Sequence, residues 1–337
     1  MECGRRPRWP FYLLVIFLFF LFFCASAEIV LRQAGFAPWR LEPAKITVNP
    51  GGCFFQKHET LGYRHLPGSF RITQGEGEKA YSFLVTHGAD TLRATSESPL
   101  PAHETWIFGC SLTHGWFLND WETYPWLLQS KNPGERIINF GVTGYSTLQS
   151  LIQLQEALDG RPQPATVVLA YASFHDKRNT FLRDRRKSVA PFNKLGPLRQ
   201  PCARLGLGGC LEWGMADVVY NEFPPMKISA FAHFFEILYN QAEDRWVDSH
   251  SVSRAIVKKF CKLATERGVR VVVAGIKQDA VTADMLGFAA SLGVKTVDIS
   301  VDLNKKENSF YPLDIHPTPH ANMQYCEKLS AFLFPRD

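Results

Sequence analysis

The 337-residue chain has little of what marks several common classes of protein. Its formal charge is mild at +5, and no block of like charge is long enough to serve as a nucleic-acid arm, so no nucleic-acid partner is expected. It has no internal repeat and no low-complexity tract, which excludes a solenoid and a disordered scaffold. The eight cysteines lack paired zinc-ligand spacing, and His58, His65, His114 and His320 form no metal-like set in sequence. No metal and no organic cofactor is therefore implied. What the chain does have is 46% hydrophobic and 13% aromatic residues, enough for one large core with an elaboration or for two domains.

The N-terminus carries a targeting signature. Arg5, Arg6 and Arg8 precede an apolar run from Phe11 to Phe23, and Ala25-Ser26-Ala27 follows as an A-x-A site. Residues 1–27 read either as a cleaved signal peptide or as an uncleaved membrane anchor. Both readings place the rest of the chain outside the cytoplasm, in the periplasm or held at the cell membrane, with the arginines left inside. Export permits disulfides, and Cys202 and Cys210, which flank a short glycine-rich loop, are the candidate pair. Cys110, Cys261 and Cys326 lie in apolar contexts and read as buried thiols.

Residues 28–103 read as a linker followed by a small β elaboration, in which Tyr81, Phe83 and Val85 alternate with Ser82, Leu84 and Thr86. From residue 104 to 337 apolar strands alternate with helical patterns. Strands are expected at Trp106–Phe108, Arg136–Phe140, Thr166–Tyr171, Val269–Ala274 and Lys295–Ile299. Helices are expected at Thr123–Leu128, Thr147–Leu158, Val252–Glu266, Thr282–Leu292 and Pro319–Leu333. This predicts an α/β protein of three layers, α/β/α, with a flavodoxin-like parallel sheet of five strands whose carboxyl edge holds the site. An interruption at about 179–246 is too long for an ordinary connection and reads as a cap over that edge.

Four stretches stand at strand ends. Gly109-Cys110-Ser111 sets a hydroxyl on a tight turn at the start of a helix, where it can attack a carbonyl beside backbone N–H donors or serve only as an N-cap. Asn139 to Thr147 contains Gly141 and Gly144, which let the backbone approach a bound group. Tyr171 to Asn179 brings His175 and Asp176 in abruptly after an apolar strand. Asp314-Ile315-His316 precedes Thr318-Pro319, a helix N-cap followed by proline at the first helical position. A histidine beside a carboxylate is what activation of a serine requires.

Together these stretches resemble the SGNH hydrolases, the GDSL-like esterase family, from about Glu104 to Leu333. The flanking Asp120-Trp121-Glu122-Thr123-Tyr124-Pro125 and Gly88-Ala89-Asp90-Thr91-Leu92-Arg93 resemble the bacterial esterase branch. The resemblance implies Ser111 as nucleophile, His316 as base and Asp314 as its partner. It implies an oxyanion hole from the Ser111 and Gly144 N–H groups, with His175 where the family carries an asparagine. Cys110 replaces the family's usual aspartate. The one-residue gap between Asp314 and His316, against the usual two, leaves either Asp314 or a backbone carbonyl to orient the imidazole. The implied activity is an exported serine esterase acting on a small-molecule or glycan O-acyl ester such as an acetyl ester, with the N-terminus meeting the membrane. An O-acyltransferase with the same residues and a non-catalytic glycan-binding or assembly protein that keeps the fold are the alternatives. Lys177, Arg178, Arg183, Arg185, Arg186 and Lys187 form a basic cluster that reads as a solvated face or as an attractor for an acidic substrate.

Overall fold

A computed structural model describes residues 8–41, 45–98 and 101–335. Strands β1 (His103–Phe108), β2 (Glu135–Asn139), β3 (Thr166–Tyr171), β4 (Arg270–Gly275) and β5 (Lys295–Asp298) form one parallel sheet in the order β5-β4-β3-β1-β2. That is the expected flavodoxin-like order, and helices cover both faces. Side chains alternate along each strand, so the two faces build separate cores. Trp106, Phe108, Leu169, Tyr171 and Val273 pack with Leu148, Leu151, Ile256 and Phe260, from the helices Thr147–Gly160 and Ser249–Glu266. Ile107, Val168, Ala170 and Val272 pack on the other side with Tyr124, Leu128, Tyr325 and Leu329, from the helices Tyr124–Lys131 and Pro319–Leu333.

The helices begin where their sequences say they should. Thr123, Ser146 and Thr318 each accept a backbone N–H as N-cap, and Ser146 with Gln149 closes a capping box. Ahead of β1, strands Ile46–Asn49, Gly68–Gln74 and Tyr81–His87 form a small β elaboration, an antiparallel sheet of three strands. Its Phe70, Ile72, Phe83 and Val85 pack against Trp116 and Phe117, just beyond Ser111. The buried Arg93–Asp120 ion pair (2.8 Å) joins the two flanking motifs noted in the sequence. Asp120 also accepts the Thr86 N–H at 2.9 Å, so the elaboration is fastened to the segment that carries the serine.

The chain divides into two compact units, the larger holding the sheet and the smaller combining the segment up to Pro43 with Tyr220–Trp246. The long interruption therefore contributes to both. In the larger unit it supplies the helix Arg183–Val189 and a hairpin, Arg199–Leu205 with Leu211–Asp217. In that hairpin Cys202 stands opposite Gly214 while Cys210 lies in the turn. The two residues are out of register, and both thiols are free, so the candidate disulfide does not form.

In the smaller unit a 25-residue helix, Trp9–Gln33, runs unbroken through Ala25-Ser26-Ala27. Its apolar window has a mean hydropathy of 2.7 and none of it is buried. At 1.5 Å per residue it spans about 38 Å, against roughly 30 Å of bilayer hydrocarbon. The Glu28 carboxylate accepts hydrogen bonds from Ser229 Oγ (2.8 Å), Ala230 N (3.0 Å) and Phe231 N (2.9 Å). It thus caps the helix Ala230–Val247 from a distant part of the chain. Arg32 pairs with Glu28 at 2.5 Å and donates to Ile228 O at 3.0 Å.

Candidate active site

The serine turn is built by close approach. A Cβ at Gly109 would lie 2.2 Å from Thr113 Oγ1, so only glycine lets β1 turn this tightly. Cys110 remains extended, and its carbonyl accepts the Thr113 (3.0 Å) and His114 (2.8 Å) N–H groups. Ser111–His114 is then a single helical turn, closed by Gly115 in the left-handed conformation. The loop after β2 is tied to it directly. Val142 N donates to Gly109 O at 3.2 Å, and Asn139 Nδ2 donates to Thr113 O at 3.0 Å.

His316 reaches this turn from the loop after β5. Its Nε2 lies 2.9 Å from Ser111 Oγ, and its Nδ1 is hydrogen-bonded to Asp314 Oδ1. The same carboxylate oxygen accepts the His316 backbone N–H at 2.8 Å, while Oδ2 accepts Gln74 Nε2 at 3.3 Å. The carboxylate, and not a backbone carbonyl, therefore holds the imidazole despite the short spacing in sequence. Burial alone raises the Asp314 pKa, but its bonds and charge interaction with His316 outweigh that and hold it below the usual value. The loop is braced by Phe310 N to His316 O (3.1 Å) and by Thr318 N to Asn308 O (3.0 Å).

Gly144 sits in the loop after β2, and His175 opens the short helix His175–Thr180 after β3. Gly144 has φ +87°, and a Cβ there would lie 2.5 Å from the Tyr63 hydroxyl, so glycine is required on both counts. His175 is buried, with Nδ1 at 3.2 Å from Thr147 Oγ1 and no protein partner for Nε2. Burial first, then the charges of Arg178 and Arg185, hold its pKa far below the ordinary value, so the ring is neutral. Its neighbour Asp176 is committed elsewhere, accepting from Tyr171 Oη at 2.6 Å and meeting His250 Nδ1 at 2.8 Å.

Three features escape sequence reasoning. Gln74 comes from the β elaboration to bond Asp314. Two members of the basic cluster are half-buried and bonded to backbone: Arg185 Nη2 donates to Gly144 O at 2.9 Å and Arg178 Nη1 to Tyr145 O at 3.0 Å. Burial lowers the Arg185 pKa to about 9. The expectation of no metal-like histidine set also needs correcting, because His65, His87 and His114 converge with ligand atoms within 4.8 Å of one another. They come from two strands and a helical turn far apart in sequence, so no spacing rule joins them.

No protein-family model matches the chain, and no curated protein matches it. Among solved structures it is similar to a member of the lipolytic G-D-S-L family from Veillonella parvula, at 12% identity over 70% of this chain and 100% of that one, with a TM-score of 0.42. It is also similar to a GDSL-like lipase from Bacteroides thetaiotaomicron, at 14% identity over 68% of this chain and 87% of that one, TM-score 0.36. A third is AlinE4, an SGNH-hydrolase family esterase, at 15% identity over 60% of this chain and 77% of that one, TM-score 0.34. At such identities and scores the assignment of fold rests on the sheet order itself. The chain is a three-layer α/β protein with a flavodoxin-like sheet order, and the solved structures it is similar to are GDSL and SGNH lipolytic proteins and esterases.

Proposed function

We propose that the chain is a membrane-anchored, extracytoplasmic serine esterase that removes a small O-acyl group, such as acetyl, from a glycan or similar substrate. The observation that carries this reading is the 2.9 Å contact from Ser111 Oγ to His316 Nε2, with Asp314 on the opposite ring nitrogen. His316 takes the hydroxyl proton as Ser111 Oγ attacks the acyl carbon, and Asp314 stabilises the imidazolium that forms. The proton then passes to the departing alcohol. Water, activated in turn by His316, hydrolyses the acyl-Ser111 intermediate.

The Ser111 and Gly144 N–H groups are the two backbone donors of the oxyanion hole in this reading. His175 is the third. With the Thr147 hydroxyl donating to Nδ1, the neutral ring carries its proton on Nε2, the nitrogen left without a partner. Arg178 and Arg185, bonded to the carbonyls of the Gly144 loop, add positive potential that favours an acidic glycan. The anchor reading rests on the unbroken helix Trp9–Gln33 and on Glu28, which caps a helix of the same unit from within it.

The test is hydrolysis of a small activated ester and labelling by a serine-reactive phosphonate, in wild type and Ser111→Ala. Labelling and turnover confined to wild type are expected, and their absence from wild type overturns the proposal. Acyl transfer to added glycan in place of release to water identifies a transferase. Mass spectrometry of the mature chain gives a start before residue 9 for an anchor and a start at Glu28 for a cleaved signal.

A further inference from the structure

His65, His87 and His114 are buried in the larger unit, beside the Ser111 turn but apart from the Ser111–His316 pair. The proton positions on two of them can be read from their partners. His87 Nδ1 faces Leu66 O at 3.1 Å, and a carbonyl only accepts, so the His87 proton lies on Nδ1 and its Nε2 bears a lone pair. His114 Nδ1 faces Thr143 Oγ1 at 3.2 Å, a partner that can accept the ring's proton or donate to it. The two Nε2 atoms are 3.1 Å apart. Two imidazole ligands on a tetrahedral zinc ion, each with a metal–nitrogen bond of about 2.0–2.1 Å, stand about 3.3 Å apart. In metal sites the outer ring nitrogen is held by a carbonyl, a carboxylate or water, which fixes the tautomer, and here a carbonyl and a hydroxyl occupy that place.

The third ring supplies an independent observation. His65 is fully buried, yet neither of its nitrogens has a hydrogen-bond partner. An unpaired buried polar group costs about 1–3 kcal/mol, and a structure rarely carries one without a purpose. His65 stacks on His87 (centroids 4.0 Å apart, planes 7° from parallel) and lies 4.4 Å from the His114 ring. In that stacked pose its lone pair does not yet point between the two Nε2 atoms, so ligation requires the ring to turn. His65 also lines a cavity of about 210 Å³, together with Leu61, Phe140, Val142, Gln153 and Arg161. The cavity leaves space beside the His65 ring for it to turn.

We propose that His65, His87 and His114 bind one late first-row divalent ion, of which zinc is the representative, as a structural site. Imidazole ligands suit Zn²⁺, Cu²⁺ and Ni²⁺ and not the oxygen-seeking Mg²⁺ or Ca²⁺. On binding, the His114 proton moves from Nε2 to Nδ1 and is donated to Thr143 Oγ1, leaving both Nε2 lone pairs for the ion and releasing no proton. His87 belongs to the three-stranded β elaboration and His65 to a separate hairpin, Phe55–His58 with Gly62–His65, while His114 ends the serine turn and Thr143 adjoins Gly144. The ion therefore fastens the elaboration to both backbone arms of the proposed oxyanion hole. It takes no part in the acyl chemistry, so the site stands whether or not the chain proves to be an esterase.

The experiment uses untagged full-length protein in detergent, stripped with a chelator and then titrated with Zn²⁺, with bound metal counted by elemental analysis and stability followed by thermal unfolding. One Zn²⁺ per chain and a raised Tm are expected. Substituting Co²⁺ is expected to give the visible absorption of a tetrahedral nitrogen site. His65→Asn is expected to weaken binding at least tenfold. The His65 side chain makes no hydrogen bond, so its replacement removes none, and wild-type titration decides the question if the variant fails to fold. His316→Ala is expected to bind as wild type does. The proposal is overturned if stripped wild type takes up no Zn²⁺, if His65→Asn binds equally well, or if binding is lost in His316→Ala.

Discussion

One helical turn, Ser111–His114, meets histidines at both of its ends, and the two sets differ in kind. At the first residue, His316 has a carboxylate on one nitrogen and a hydroxyl on the other, with side-chain exposures of 21% for His316 and 15% for Asp314. At the last residue, His114 meets His87 and His65, with no carboxylate among their hydrogen-bond partners and at most 2% of any of the three exposed. Burial holds all three rings far below the ordinary histidine pKa, to about 3 for His87, and so keeps them neutral. The difference teaches that a histidine's neighbours decide its task. A carboxylate and access to solvent suit a ring to moving protons. Apolar burial suits it to offering lone pairs.

The largest effect tests the first end. Ser111→Ala and His316→Ala should each lower kcat by a factor on the order of 10⁴–10⁶, with folding nearly unchanged. Asp314→Asn should follow, with a loss on the order of 10⁴, because an amide cannot hold the imidazole tautomer that the serine needs. Steady-state rates with an activated ester measure both. A Ser111→Ala enzyme with wild-type rate would remove the first half of the comparison.

His175 lies between the two kinds, buried and neutral like the cluster but set in the proposed catalytic pocket. His175→Ala should cost about 10²–10³ in kcat with little change in KM, the loss expected for one oxyanion donor. His175→Asn, which restores an N–H donor, should recover part of it. Equal rates for the two variants would make His175 a packing residue and place it with the cluster.

The second end should answer in stability rather than rate. His87→Ala removes a buried ring and the partner of Leu66 O, which should cost about 2–4 kcal/mol of folding free energy in chemical denaturation. His316→Ala should cost far less. If His316→Ala is the more destabilising of the two, the division of tasks fails.

Much of the sheet and part of the site are legible in the sequence, for a physical reason. Thr166–Tyr171 is a strand buried on both faces, and Pro319–Leu333 starts with a cap and a proline, so local pattern suffices to place both. Ser111 and His316 stand out because the strand-end turn and the Asp314-x-His316 loop are local signals. Local pattern fails where distant segments meet. His65 ends the hairpin Phe55–His58 with Gly62–His65, His87 ends a strand of the three-stranded sheet, and only the tertiary fold brings them to His114. The basic cluster reads as a solvated face, yet Arg178 and Arg185 turn inward to carbonyls whose positions a single sequence does not reveal. The apolar run ends near Ala27 in the sequence, but the helix continues to Gln33, where Glu28 and Arg32 find partners in residues 228–231.

The smallest effect comes from a carboxylate at the same edge of the sheet. Asp279 caps the helix Ala280–Ser291 by accepting Thr282 N at 2.8 Å, and its other oxygen accepts from Ser173 Oγ at 2.5 Å and Lys277 Nζ at 2.9 Å. Burial raises its pKa, but these bonds outweigh burial and bring it to about 2. A carboxyl with a folded-state pKa below its unfolded value adds stability that is fully present above the unfolded value. That stability is lost as pH falls through the folded one. The increment is at most about 2–3 kcal/mol, and solvent screening reduces it because the carboxylate reaches the surface. Wild type should therefore be more stable than Asp279→Asn at pH 7, and the gap should close between about pH 5 and pH 2 in denaturant titrations. A gap that persists unchanged at pH 2 would mean that the Asp279 charge is not its source, since asparagine caps a helix nearly as well as aspartate does. The pH dependence sharpens the comparison because the acid-side loss in this pair of proteins belongs to a carboxylate with donors around it. The same arrangement holds Asp314 below its usual value at the Ser111 end of the turn, and nothing like it is bonded to the buried histidines.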